Sequence, residues 1–369
     1  MKKILLFIVI ISYLTGYSQN SKTITINGTD RHYLEYISPL YNDNKAVPLI
    51  ICLHGLGDDM NNFSGVGFQY IGMVDNFITI YPQAKSSIMG NAWNAGVKYY
   101  GISLNAGVND VEFLNMLIDS IKNEYNIDTT RIYFMGFSLG AFMAHRMACE
   151  YGHRIAAIAS VAGTMGNNIV CNPTKPMPIC HFHGTNDQTI PYTNNPFGVD
   201  VDSLIRFWTI FNNTEINPII TELPDIANDD ITISHYLYNN SNNGAIVELF
   251  KANGADHQWL YPPANDINYT NEIWNFLKQF KLTSSLNENY YNNDNKTIIY
   301  PNPFTDYLYI KSPYNAQISI INYLGQEIKT DYKNNEIYKL QIDNLKQGTY
   351  FISIKAPNNK VQYQKLIKN

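Results

Sequence analysis

Ser138 sits in the frame Gly136-Phe137-Ser138-Leu139-Gly140, the surroundings a nucleophilic serine requires. The apolar run before it reads as a buried strand and Leu139–Tyr151 (LGAFMAHRMACEY) as a helix, so the serine falls on a strand-to-helix turn. Such a turn is tight enough that Gly136 and Gly140 have almost no room for a Cβ, and its strain lifts the hydroxyl clear of the sheet. A serine hydroxyl attacks only when a base takes its proton and a carboxylate orients that base. On an elbow of this kind the order along the chain is serine, acid, histidine. Asp187 lies at the tip of GTNDQTIPY, just after the apolar run Met177–His183, and His257 lies in the loop NGADHQWLYP after Ala245–Lys251. His235 falls within a strand pattern, His181 and His183 precede Asp187, and His145 and His153 belong to the elbow helix and its end. The catalytic set expected is therefore Ser138, Asp187 and His257. Backbone N–H groups must hold the oxyanion, one from the residue after the nucleophile and one from the loop after an early strand. These are Leu139 and Leu56, the latter in the HGLGDD that follows PLIICL, with His54 expected to brace the loop.

The elements that must position these groups alternate along the chain. Strand patterns at 48–53, 77–81, 131–137, 155–161, 177–183 and 245–251 are interleaved with helical patterns. One helix, 110–125, carries Val111, Leu114, Leu117, Ile118 and Ile121 on one face, with Asp110 as its expected cap. That alternation predicts an α/β fold of the α/β-hydrolase class, a mostly parallel sheet with helices on both faces, followed by a small all-β sandwich. The chain carries no Gly-rich phosphate loop, dinucleotide fingerprint or Cys/His metal spacing, so neither cofactor nor metal is expected.

Composition supports a large core: 45% of the 369 residues are hydrophobic, enough to fill an α/β domain and a second, smaller one. The net charge of −5 is uneven, because residues 298–369 hold nine lysines against five acidic residues and everything before them is −9. An acidic catalytic part argues against nucleic acid as a partner. Met1-Lys2-Lys3, the apolar Ile4–Leu14 and the small residues Gly16 and Ser18 read as a signal peptide over 1–18. The apolar run is short for a membrane span, so export through the periplasm is expected, to the cell surface or the extracellular space, without a transmembrane anchor. The expected domains are a hydrolase domain at 19–281, a polar Asn-rich linker at 282–297 and a β-sandwich at 298–369. In an oxidising compartment Cys171 and Cys180, which bracket CNPTKPMPIC, are the preferred disulfide, with Cys52 and Cys149 as buried thiols. The Asn-, Pro- and Asp-rich stretch 214–230 is expected to contribute to a substrate loop.

In order, HGLGDD, YPQA with NAWNAG, GVNDVEFL, FMGFSLGAFMA, FHGTNDQTIPY and GADHQW resemble the secreted polyhydroxybutyrate-depolymerase-like esterases. Those are similar in turn to the feruloyl and acetylxylan esterases of carbohydrate esterase family one. The resemblance spans residues 23–280 and implies the same triad, with Trp93 and its neighbours lining the substrate cleft. It implies an esterase acting on feruloyl or acetyl esters of plant polysaccharide, with polyhydroxybutyrate as the alternative substrate. A secreted serine peptidase and a non-catalytic polysaccharide-binding protein are the readings from other classes. Val108-Asn109-Asp110 departs from the Val-Asp-Asp common in the family, and the His257 loop has less glycine. At the other end, YPNPF, YLGQEI, LKQGTYFISI and a lysine-rich terminus resemble the C-terminal sorting domain of the type IX secretion system of Bacteroidetes. That resemblance implies the secretion machinery as a partner; a carbohydrate-binding sandwich is the other reading of the same strands.

Overall fold

The first described elements form a hairpin, β1 (Ser18–Ile26) and β2 (Thr29–Ile37), turned by Asn27-Gly28 with both residues at positive φ. That geometry is the two-residue turn an Asn-Gly pair favours. The computed structural model describes residues 18–282 and 297–368, apart from 100, 302, 313, 323, 336 and 358–360. The expected signal peptide and linker lie, but for their edge residues, outside the described residues.

The following strands are β3 (Val47–Leu53), β4 (Ile78–Pro82), β5 (Ile127–Phe137), β6 (Ala157–Val161) and β7 (Ile179–Gly184). After them come β8 (Ile219–Glu222), β9 (Thr232–Tyr238) and β10 (Val247–Asn253). Together they form a ten-stranded sheet in the order β1-β2-β4-β3-β5-β6-β7-β10-β9-β8. The central six, β4-β3-β5-β6-β7-β10, pair in parallel, and the hairpins β1–β2 and β8–β9 extend it antiparallel at the two edges. β3, β4, β6 and β7 are buried along their whole length, which is why they read as unbroken apolar runs. Within the stretch 214–230, β8 pairs with β9.

Helices cover both faces. On one side α2 (Asp110–Glu124), α3 (Leu139–Tyr151) and α4 (Val201–Asn212) pack over Leu49, Ile51 and Leu53 of β3. On the other, α1 (Phe68–Asp75) and α5 (Tyr269–Leu277) pack over Ile50 and Cys52. The two sets of β3 side chains follow from the two-residue period of a strand. Asn109, not Asp110, caps α2, its Oδ1 accepting the N–H of Glu112 at 3.1 Å. Asp110 is turned inward instead, paired with buried Arg31 at 2.7 Å and accepting the N–H of Asn94 at 2.7 Å. A carboxylate so enclosed needs a cation and donors to offset its lost hydration.

The C-terminal strands form two antiparallel sheets. Ile298–Tyr300, Tyr307–Lys311 and Ile337–Gln341 make one; Ala316–Asn322, Glu327–Lys333, Gly348–Lys355 and Val361–Lys368 make the other. Leu308, Ile310 and Leu340 from the first meet Ile318, Ile320, Ile352 and Leu366 from the second in a core of their own. This sandwich rests on α4: Phe351 packs edge-on against Phe207, Lys365 donates to the Pro173 carbonyl at 3.3 Å, and Arg206 faces Glu327 at 3.6 Å.

The disulfide differs from the expectation. Cys171 bonds Cys149 on α3, with a Cα separation of 4.8 Å, while Cys180 and Cys52 are buried free thiols. Alternation along β7 decides this: Ile179 faces the layer that contains Cys149 and Cys171, and Cys180 faces the opposite layer, the one that also contains Cys52. Closing the 22-residue separation lowers the entropy of the unfolded chain, worth about 3 kcal/mol. Cys171→Ser is expected to lose stability of that order in denaturant titrations, and a non-reducing peptide map is expected to link Cys149 to Cys171. A map joining Cys171 to Cys180 would refute this pairing.

Candidate active site

β5 delivers Phe137 and then Ser138, whose backbone is held at φ 52 and ψ −121. A non-glycine residue there is strained by about 1–3 kcal/mol. The turn is held by backbone packed directly on backbone. A Cβ on Gly136 would lie 2.2 Å from the carbonyl carbon of Gly140, and one on Gly140 would lie 2.0 Å from the Leu53 oxygen. The Ser138 N–H donates to Val161 O on β6 at 2.8 Å, and its own carbonyl accepts from Ala141 at 2.9 Å. Leu139 is the first residue of α3, so its N–H has no intrahelical acceptor and lies at the positive end of the helix dipole.

Asp187 lies in the turn after β7 and is buried. Its Oδ1 accepts the N–H groups of Thr189 and Ile190 at 2.9 and 2.7 Å, leaving Oδ2 for His257 Nδ1 at 2.8 Å. An ionised carboxylate only accepts, so Nδ1 carries the hydrogen and Nε2 presents a lone pair. The His257 ring packs against Phe137, 4.9 Å between centroids. Asp256 ties the two loops together, accepting the N–H of Gln188 and of His257, and those donors hold its carboxyl below the usual range. Ser138 and His257 line one cavity of about 590 Å³ together with Leu56 and Leu139, so the structure brings every expected catalytic and oxyanion residue to one place.

Trp93 is the exception. It is fully buried and does not line that cavity; its Nε1 donates to the His54 carbonyl at 2.9 Å, with the two rings 5.2 Å apart. An indole has one polar atom to satisfy, and here the Leu56 loop satisfies it. Trp93 is thus a brace, and from the same segment Val97 and Leu104 line the cavity instead. His54 braces from within: Nδ1 donates to Gly55 O at 2.7 Å, and Nε2 accepts the Ala84 N–H at 3.0 Å.

A chain of buried polar groups, unassigned by the sequence, leads to the same turn. His145 Nε2 meets Ser160 Oγ at 2.9 Å, Ser160 Oγ meets His181 Nδ1 at 2.8 Å, His181 Nε2 meets His183 Nδ1 at 3.1 Å, and His183 Nε2 meets Ile190 O at 2.8 Å. The terminal carbonyl can only accept, so His183 donates from Nε2 and accepts at Nδ1, and each earlier link is fixed in turn. Every donor points toward the Asp187 turn, and the far end, His145 Nδ1, is buried without a partner. All three imidazoles are neutral because burial disfavours their charged form, His145 being pushed down to about 3.

Residues 40–197 match the Phospholipase/Carboxylesterase family, and residues 298–369 match the Secretion system C-terminal sorting domain. The chain is 26% identical to a bifunctional acetylxylan esterase/xylanase of Neocallimastix patriciarum, over 64% of this chain and 31% of that one. It is 28% identical to feruloyl esterase B of Piromyces equi (66% and 44%) and 23% identical to poly(3-hydroxyalkanoate) depolymerase C of Paucimonas lemoignei (64% and 61%). It therefore spans less than two thirds of the length of each of these relatives. A solved acetyl xylan esterase from Aspergillus awamori is similar with a TM-score of 0.49 at 17% identity, over 70% of this chain and 99% of that one. The sorting domain directs the chain to the cell surface or the extracellular space. Among the described residues no helix is long and apolar enough to cross a membrane.

The neutral histidines set a pH dependence. Unfolded imidazole takes up a proton near 6.5, whereas the buried rings resist it, so the unfolded state binds more protons once the pH falls below that value. Stability present above about pH 6.5 is expected to fall on acidification, by up to about tenfold in the unfolding constant per histidine per pH unit. Denaturant midpoints between neutral pH and about pH 5 measure the slope, which His145→Gln should flatten. Equal slopes in parent and variant would show that His145 is not held neutral.

Proposed function

We propose that this chain, in which a domain of the phospholipase/carboxylesterase family precedes a secretion sorting domain, is an exported serine carboxylic-ester hydrolase. The observation that carries the reading is the 2.8 Å bond from His257 to Asp187 beside the cavity that also holds Ser138. His257 Nε2 takes the Ser138 Oγ proton as Oγ attacks the ester carbonyl carbon. The Leu56 and Leu139 N–H groups hold the oxyanion that forms, and Asp187 stabilises the imidazolium. His257 returns its proton to the departing alkoxide, leaving an acyl group on Ser138. Water, deprotonated by the same nitrogen, then releases the acid and restores the serine.

The acyl group occupies the Ser138 cavity, whose walls include Leu104, Phe142, Ile190, Pro196 and Phe197. At about 590 Å³ and largely apolar, it fits a planar aromatic acyl group better than a bare acetyl. Feruloyl esters of plant polysaccharide are accordingly the preferred substrates, with acetyl esters of the same polymers next. Polyhydroxybutyrate is the alternative, since one similar protein bears a depolymerase name. The partner at export is the type IX machinery, through residues 298–369.

The purified chain is expected to hydrolyse methyl ferulate, with Ser138→Ala lowering kcat by about 10⁴-fold or more while the fold is retained. Asp187→Asn is expected to retain substrate binding and lose kcat. Acetylated xylan and polyhydroxybutyrate complete the panel and rank the substrates. Negligible turnover of all three by the parent chain would point to a peptidase or a non-catalytic binding protein.

A further inference from the structure

The lining of the Ser138 cavity holds one carboxylate, that of Asp58, and neither lysine nor arginine accompanies it. A neighbouring groove of about 670 Å³ meets that cavity at Phe137 and His257, and its lining too has Asp58 as the sole carboxylate and no lysine or arginine. Asp58 therefore stands on the wall between the two spaces, two residues beyond Leu56. The other acidic groups nearby have different tasks. Asp59 caps the short helix Met60–Phe63, and Asp187 and Asp256 accept from the turn and loop around His257. None of these three lines either space.

The Asp58 side chain is fixed in place with half of its acceptor capacity left over. Its Oδ1 accepts from the Asp59 N–H at 2.9 Å and from the Asn62 amide at 2.7 Å, and its carbonyl accepts from the Asn91 amide at 2.9 Å. Among the described residues no donor meets Oδ2. The residue is half-buried, so solvent screens its charge only in part.

What a negative charge does here depends on the net charge of what sits beside it. As Ser138 attacks, the oxyanion and the His257 imidazolium form together, so the reacting groups carry no net charge and Asp58 acts on them weakly. Once water has released the acyl group and His257 has returned its proton to Ser138, the free acid loses its own proton to solvent. The cavity then holds a carboxylate beside a neutral imidazole. The Leu56 and Leu139 N–H groups that receive the oxyanion attract this anion as well, and no lysine or arginine lines the cavity. Repulsion between like charges in so small a space changes binding by about tenfold.

We infer that Asp58 is a charge selector, which distinguishes the uncharged ester from its carboxylate product and hastens the product's departure. The inference rests on the esterase reading for the identity of the product, but the binding it concerns can be measured without turnover. Calorimetric titration of full-length Ser138→Ala at low salt is expected to show ferulamide, the uncharged counterpart, bound about tenfold tighter than ferulate. Adding Asp58→Asn keeps an oxygen to accept from Asp59 and Asn62, and is expected to remove most of that preference by tightening ferulate. Asp58→Glu keeps the charge and is expected to keep the preference. Salt at about 0.5 M should shrink the preference where the carboxylate is present and leave the asparagine variant unmoved. In the active chain, Asp58→Asn should lower Ki for ferulate, relative to Ki for ferulamide, by about tenfold. A preference that persists in Asp58→Asn, or one that disappears because the amide weakens, overturns the selector. Equal binding of the two ligands by Ser138→Ala does the same, and so does binding of neither. Absence of ester turnover by the active chain overturns the esterase reading alone, and the titrations still decide Asp58.

Discussion

Direct contact of backbone with backbone at Gly136 and Gly140 is the constraint on which the rest of the site depends. The end of β5, the start of α3 and the end of β3 meet at distances that exclude even a methyl group. Those contacts seat Ser138 at the C-terminal end of β5 and place the Leu56 loop, which leaves β3 at Leu53, beside it. One tight junction therefore fixes both Ser138 and the loop that carries Leu56. The strain at Ser138 is tolerated because the surrounding sheet and helix permit no relaxed alternative.

Asp187 and His257 are held by a different device. Asp187 spends one oxygen on its own turn and the other on His257, so the carboxylate is fixed before it orients the imidazole. Behind that turn, three neutral histidines and Ser160 form a one-way series of donors ending on Ile190, whose N–H is bound by Asp187. A polar series this deep is stable only when its members are satisfied, and the one exception, His145 Nδ1, lies at the end remote from the acid.

Much of the site was legible in the sequence because its requirements are local. The glycines flanking Ser138, the strand-then-turn around Asp187 and the order of the three residues each follow from chain chemistry within a few positions. The parallel strands were legible because burial on both faces leaves apolar runs. Trp93 was misread because an aromatic beside Asn and Gly looks alike whether it faces a ligand or a carbonyl, and only the position of His54 O distinguishes them. The disulfide was misread because CNPTKPMPIC gives proximity in sequence but not the side of the sheet, which the alternation of Ile179 and Cys180 decides. The histidines at 145, 181 and 183 lie on two elements, and nothing in their spacing announces that Ser160 joins them. Asn27-Gly28, by contrast, carries a hairpin signal within two residues.

The C-terminal sandwich does more than follow the ten-stranded domain in sequence. Phe351 is seated on Phe207 and Phe211 of α4, and Lys365 and Thr349 reach the segment at Asn172 and Pro173 just beyond the disulfide. A cut in the connecting chain therefore yields two pieces that are still in contact. Separation of the two then becomes a dissociation, with an off-rate governed by one aromatic cluster and a few polar bonds, and the lifetime of the severed pair is written into the surface of α4.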